Sequence, residues 1–357
     1  MKTYIKFLIN GFIKSFINIF FIMFGLVFIL NILKEIEFFN NTNVSSLYPI
    51  YLSLLNSPSI IFEMFPFIFL ISTQFFFIKL FNNNEINIFK YSGLENIQII
   101  KILCVVSFAL SIIIISLFYN ISSNLQSYYL QIKNQYSQDN KYLAVINNNG
   151  LWIKDVVNDK VNIVNSSKVD NNFLINTFIS TFNKDFDLVR SIKSNKIDIK
   201  DNQWLIYNAT IYEKNLSIKK ELITFNSNFN QKRIESLFSN LSSLSFLELI
   251  NLRKNYKTLN YSIIDVDLQI YKIGLYPFLL VLMTILSGII MFNTKKFPST
   301  TLKIIIGLFF SVTIYYINNF VYVLGSTEKI HLITSVLTPI IFLSIMNILM
   351  IRKINDK

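Results

Sequence analysis

Residues 58–80 read PSIIFEMFPFIFLISTQFFFIKL, with Glu63 and Lys79 the only charged side chains. A helix rises 1.5 Å per residue and the hydrocarbon of a bilayer is about 30 Å thick, so roughly 20 mostly apolar residues cross it. The stretch meets that requirement, and so do residues 8–33, 98–118, 268–291, 302–323 and 332–351. Lys2 and Lys6 precede the first of these, as at a signal peptide. Its apolar run outlasts a signal h-region and no A-x-A-like site follows, so it reads as a retained helix.

Composition supports a membrane class. Of 357 residues, 52% are hydrophobic and 15% charged, too apolar a balance for a soluble fold of this size. Residues 1–118 and 268–351 are dense in Phe, Ile and Leu, whereas 119–262 are rich in Asn, Ser and Lys. The order is membrane, soluble domain, membrane. A single cysteine, Cys104, rules out an intramolecular disulfide, and a single histidine, His331, rules out HExxH and other two-histidine zinc motifs. No Gly-x-x-x-x-Gly-Lys-Ser/Thr phosphate loop occurs. No cofactor is expected.

The net charge of +12 is explained by its placement around the spans rather than by nucleic acid. One set of short flanks holds Lys2, Lys6, Lys14, Lys79, Lys90, Lys101, Lys295, Lys296, Lys303, Arg352, Lys353 and Lys357; the opposite short loops hold only Lys34 and Lys329. Cytoplasmic loops carry the Lys and Arg excess, so the termini are expected in the cytoplasm and residues 119–262 outside.

Within that outer segment, Lys196–Lys200 and Gln203–Tyr212 alternate apolar and polar residues across the turn-forming pair Asp201-Asn202, the pattern of a hairpin. Further strands are expected at 141–146, 151–153, 160–164 and 171–181, with a turn at Asn148-Asn149-Gly150. Strands at this spacing predict a sandwich or jelly-roll sheet. Trp152 and Trp204 read as its core anchors. After residue 235, Leu241, Leu244, Leu247, Leu249 and Leu252 fit a helical stripe leading back to the membrane.

Several local runs carry a family resemblance. Phe62-Glu63-Met64-Phe65-Pro66-Phe67 looks like a proline-containing second helix, and residues 84–93, from Asn84-Glu85 to Ser92-Gly93, are similar to a Glu-Leu-x6-Gly cytoplasmic segment. Gly150-Leu151-Trp152-Ile153-Lys154-Asp155 and the Lys272 to Pro277 run complete the set in order along the chain. In these features the chain resembles the LptF/LptG lipopolysaccharide export permeases, and most of all the G-type. The resemblance implies a polytopic α-helical membrane protein of the bacterial inner membrane, with about six transmembrane helices in a three-plus-three layout and an inserted periplasmic jelly-roll-like β domain. Its domains would be residues 1–118 (with a coupling segment at 81–97), 119–262 and 263–357. It also implies a heterodimer with a related permease, a cytoplasmic ATPase dimer that supplies hydrolysis, and a periplasmic bridge protein of similar β fold. The cargo would be lipopolysaccharide. A membrane-anchored docking protein without transport activity is the competing reading.

The resemblance points to Glu85, Phe89 and Gly93 as a coupling element for the ATPase. The alternative is a capped surface helix with Glu85 near its N-terminus, where the dipole favours a carboxylate, and Gly93 at its end. Lys34 could hold an anionic phosphate of the lipid at a cavity rim, or pair with Glu37 on the helix surface. Phe65 and Phe69 are candidates for lining an acyl-chain cavity, against facing lipid or neighbouring helices. Glu63 can act within the span or snorkel to its outer end.

Overall fold

The computed structural model describes residues 3–40, 45, 47–136, 151–157, 160–170, 172–213, 216–231, 234, 240–258, 262–293 and 299–351. Two compact units emerge: Met1–Tyr129 with Ser242–Leu249 and Ile264–Lys357, and Leu130–Leu241 with Ile250–Ile263.

The first unit is helical. Helices α1 (Thr3–Phe39), α2 (Leu47–Asn82), the short α3 (Glu85–Tyr91) and α4 (Asn96–Ile113) come before the soluble segment; α7 (Ile264–Phe292), α8 (Thr300–Ser326) and α9 (Leu332–Ile351) come after it. Among the described residues six helices are long and apolar enough to cross a membrane, as the hydropathy pattern predicts. The apolar windows of α2 and α7 are 67% and 72% buried, against 22% in α1, α8 and α9, so α2 and α7 form the centre of the bundle. Small polar residues join the spans: Ser287 Oγ donates to the Leu70 carbonyl at 2.8 Å, and Ser107 and Thr284 hydroxyls pair at 2.9 Å. Such residues bring helices close where lipid offers no hydrophobic drive to association. The contacts of Phe62 with Tyr276, Leu70 with Ser287 and Phe77 with Phe292 show that α2 and α7 run parallel.

The third span is longer than the sequence suggests. Beyond residue 118 the chain continues through a π-helical turn, Ile114–Tyr119, into α5 (Asn120–Tyr136). Ser122, Gln126 and Tyr129 are buried at helical spacing, so α5 is amphipathic with a polar buried stripe that hydropathy does not register.

Among the described residues the second unit holds six strands, β1 (Leu151–Val157), β2 (Lys160–Asp170), β3 (Phe173–Phe182), β4 (Leu188–Asp198), β5 (Gln203–Glu213) and β6 (Leu216–Asn226). They form one antiparallel sheet in chain order. The expected strand at 141–146 and the Asn148-Asn149-Gly150 turn lie outside the described residues. The Asp201-Asn202 hairpin is present, with Asp198 opposite Leu205. In place of two stacked sheets with crossing connections, the described strands make a meander bent along a crease. Ser167, Asn176, Asn195, Asn208 and Glu221 are skipped in the pairing on successive strands while the register stays the same on either side, and Asn176 and Asn208 have φ of 50° and 48°. The left-handed residues interrupt the strand alternation, so that Leu174 and Ile179 of β3, five residues apart, are both buried. Side chains from both sides of the crease, including Val164, Leu174, Ile179, Ile197 and Trp204, share one core.

Trp204 is fully buried and donates through Nε1 to the Phe229 carbonyl at 2.7 Å. Trp152, expected beside it in the core, is 58% exposed. In the β1 alternation it is Leu151, Ile153 and Asp155 that point inward. Asp155 is buried because it is satisfied: its carboxylate accepts from Ser227 Oγ (2.7 Å), Asn228 N (3.1 Å) and Asn228 Nδ2 (2.8 Å), tying β1 to the chain leaving β6. The expected leucine helix is α6 (Phe246–Thr258), opened by a capping box in which Ser245 and Glu248 exchange bonds. Leu249 and Leu252 are buried on it, but Leu247 faces solvent.

Candidate functional site: a cavity among the membrane-spanning helices

Pro66 lies inside α2 and cannot donate to the carbonyl of Phe62 four residues earlier. Tyr276 of α7 fills that vacancy, its hydroxyl donating to the Phe62 carbonyl, while its ring stacks on Phe62 at 4.9 Å. Tyr119 closes on the same phenylalanine at 4.8 Å and donates to the Leu244 carbonyl at 2.9 Å. The proline thus frees an acceptor that Tyr276 takes, and the rings of Tyr276 and Tyr119 both pack on Phe62 to form a wall.

Behind this wall lies a cavity of about 430 Å³ lined by α2, α7, α8 and the end of the third span. Its polar and apolar residues are segregated. Ser59 and Glu63 precede Phe67 on α2, and Gln269 and Lys272 precede Leu279 and Met283 on the parallel α7. On α8 the order inverts, Val312 and Ile314 coming before Asn318 and Asn319. That helix is antiparallel to α7, since Lys303 Nζ donates to the Met291 carbonyl (3.0 Å) and Lys272 lies 5.7 Å from the Tyr322 ring. Most of the polar groups therefore gather at one end, around Lys272, and the other end is greasy but for Ser311. A cavity so divided can hold an amphiphile, with an anionic group near the lysine and hydrocarbon deeper in. Among the described residues no cluster of three or more His, Cys, Asp or Glu could hold a metal.

The sequence candidates distribute unevenly around this geometry. Phe65 and Phe69 are buried in ring packing with Phe16 of α1, at 6.3 and 5.1 Å, and Phe65 also meets Phe118 at 5.2 Å; the cavity is lined instead by Phe62 and Phe67 of the same run. Lys34 and Glu37 are both exposed near the end of α1, with no ion pair between them among the described residues. Their neighbour Glu35 is buried and accepts from Tyr129 Oη at 2.8 Å. Lys272 was legible only as the first residue of a motif, although a lysine inside an expected span is itself a signal.

Glu85 and Phe89 lie on α3, and Gly93 follows its C-cap Ser92. Asn84 precedes the helix at φ 58°, and Asn83 Nδ2 donates to Glu85 Oε1 at 3.0 Å. At the other end Gly93 sits at φ 81°, with Gly93 N bonded to the Lys90 carbonyl (3.0 Å) and Leu94 N to that of Phe89 (2.9 Å), a Schellman stop. Ile86 is buried and Phe89 packs against Phe7 at 6.0 Å, which anchors the inner face of the helix. On its outer side Ile88 and Tyr91 are 61% and 91% exposed.

A comparison with curated proteins finds no match. Residues 6–353, nearly the whole chain, match the family described as lipopolysaccharide export system permease LptF/LptG. With six spans and an inserted β domain as its fold, this chain belongs to the LptF/LptG family of lipopolysaccharide export permeases.

Proposed function

We propose that this permease is one transmembrane half of an ABC-type exporter that extracts lipopolysaccharide from the inner membrane and passes it to a periplasmic bridge. In this reading a related permease completes the membrane channel, and a separate ATPase dimer in the cytoplasm supplies the energy. The termini and α3 face the cytoplasm and the β unit faces the periplasm, in keeping with the lysine asymmetry. The Gly150 to Asp155 run favours a G-type subunit.

The observation that carries the reading is α3. A helix of seven residues, stopped at both ends and anchored by Ile86 and Phe89, presents Ile88 and Tyr91 outward between two spans. An anchor for a docking module needs no such element, whereas an energy-coupled transporter does. The divided cavity supports lipid as cargo, with Lys272 at its polar end as the residue meeting an anionic headgroup. For the bridge, the hairpin-tip end of the sheet exposes Phe186, Leu188 and Leu216, an apolar patch suited to a second β domain.

Purification of the native complex tests this. The wild-type chain should bring down an ATPase, and Glu85→Lys should lower that recovery and lipid export without lowering membrane insertion, since like charges across an interface cost several kcal/mol. Glu213→Lys in the β unit should leave ATPase recovery unchanged. If no ATPase accompanies the wild type, the docking-protein reading takes its place.

A further inference from the structure

The outer face of the β sheet carries a row of side chains that includes two exposed aromatics and two exposed lysines. Across the six strands, successive Cα partners run Trp152, Asn165, Phe178, Lys193, Thr210 and Lys219. Direct cross-strand partners share a face. Trp152 is 58% exposed and Phe178 41%, and both lysines are exposed. Exposing a tryptophan is costly, since it is among the largest apolar surfaces a side chain offers. Its neighbours Leu151 and Ile153 are buried, so β1 alternation directs it outward, and nothing in the core requires an aromatic there.

We propose that this row binds the phosphorylated saccharide of the exported glycolipid, a reading that rests on the family's substrate class. Strands lie about 4.8 Å apart, so the two aromatic residues stand about 10 Å apart with Asn165 between them. A sugar ring has one face of C–H groups, which stacks on an aromatic ring. Lys193 and Lys219 continue the row and give it positive charge. Neither this row nor the next toward the hairpin tips (Ile163, Ser180, Ser191, Tyr212, Ser217) contains a carboxylate. The surface is therefore complementary to an anionic oligosaccharide, with phosphates meeting the lysines as point charges. The crease at Ser167, Asn176, Asn195, Asn208 and Glu221 bounds the patch on its other side.

The chain supplies its own reporter, because it has two tryptophans and only Trp152 is exposed. Fully deacylated lipopolysaccharide, which lacks acyl chains and cannot report on the membrane cavity, is titrated into the purified full-length chain in detergent. A saturable change in Trp152 emission, with protection from acrylamide quenching, is expected. Phe178→Ala and Lys193→Ala should each raise the apparent Kd roughly three- to tenfold, and added salt should weaken binding in the wild type more than in Lys193→Ala. No response, an apparent Kd in both variants equal to that of the wild type, or the same response to inorganic phosphate or phosphatidylglycerol micelles would overturn the proposal. So would a response of Trp152 to a β-domain protein and not to the oligosaccharide, which would make the face a protein interface. A chain that recovers its ATPase but ignores the oligosaccharide loses only this surface. One that binds the oligosaccharide but recovers no ATPase keeps it and loses the exporter assignment.

Discussion

Removing the Asp155 carboxylate should loosen the β unit measurably. The carboxylate is fully buried and accepts three hydrogen bonds, from Ser227 Oγ, Asn228 N and Asn228 Nδ2, all between 2.7 and 3.1 Å. Hydrogen bonds to a charged group are worth about 1.5–3 kcal/mol each, and donors left buried without an acceptor add their own desolvation cost. Against this stands the cost of burying the carboxylate itself, which Asp155→Ala recovers. The net expectation is a loss of about 3 kcal/mol, a fall in Tm of roughly 10 °C for a domain of this size. Trp204 gives the readout: it is buried and bonded to the Phe229 carbonyl one residue beyond Asn228, so its emission should shift to the red at the transition. Asp155→Asn keeps the shape but can present only one oxygen to these donors, and should fall between wild type and Asp155→Ala. Asp185→Ala, exposed at the β3–β4 tip, serves as control. A Trp204 transition at the same temperature in Asp155→Ala and wild type would refute the account of Asp155 as the lock between β1 and the end of β6.

Gly307→Ala should destabilise the helical unit by about 1–3 kcal/mol, because a Cβ there would overlap the Gln74 amide, which donates to the Lys303 carbonyl at 2.8 Å. Gly25→Ala, with nothing within 4 Å of the added carbon, should leave the detergent melting temperature unchanged or raise it. Lys272→Ala should weaken binding of intact lipopolysaccharide by roughly tenfold, while Lys272→Arg retains most of it, as judged by co-purified lipid. On a Cys104→Ser background, a cysteine at position 185 should react with an impermeant maleimide in intact cells and one at position 83 should not.

The six spans and the β insertion were open to reading because their signals are local: runs of about 20 apolar residues in one case, alternation around Asp201-Asn202 in the other. What escaped was set by tertiary context. The extension of the third span buries Ser122, Gln126 and Tyr129, a helical stripe whose residues score as polar, so hydropathy ended the helix at 118. Trp152 was assigned to the core on residue type, yet the strand's phase, fixed by Leu151, Ile153 and Asp155, turns it outward. Phe65 and Phe69 could not be separated from Phe62 and Phe67 by composition, since all four occupy one apolar run and only the packing of α1 distinguishes them. Lys272 needed the parallel packing of α2 and α7 before it became part of a polar cluster.

The chain-order sheet bears on how the protein is made. Every pairing in it joins a strand to its immediate successor, so contact order is low, and each hairpin can close at small entropic cost as soon as its second strand is available. The first strand begins and the last strand ends at the same end of the sheet, at Leu151 and Asn226. The bond from Asp155 to Ser227 and Asn228 is the exception, spanning 72 and 73 residues. It is therefore expected to close last, fastening the meander only once β6 is in place.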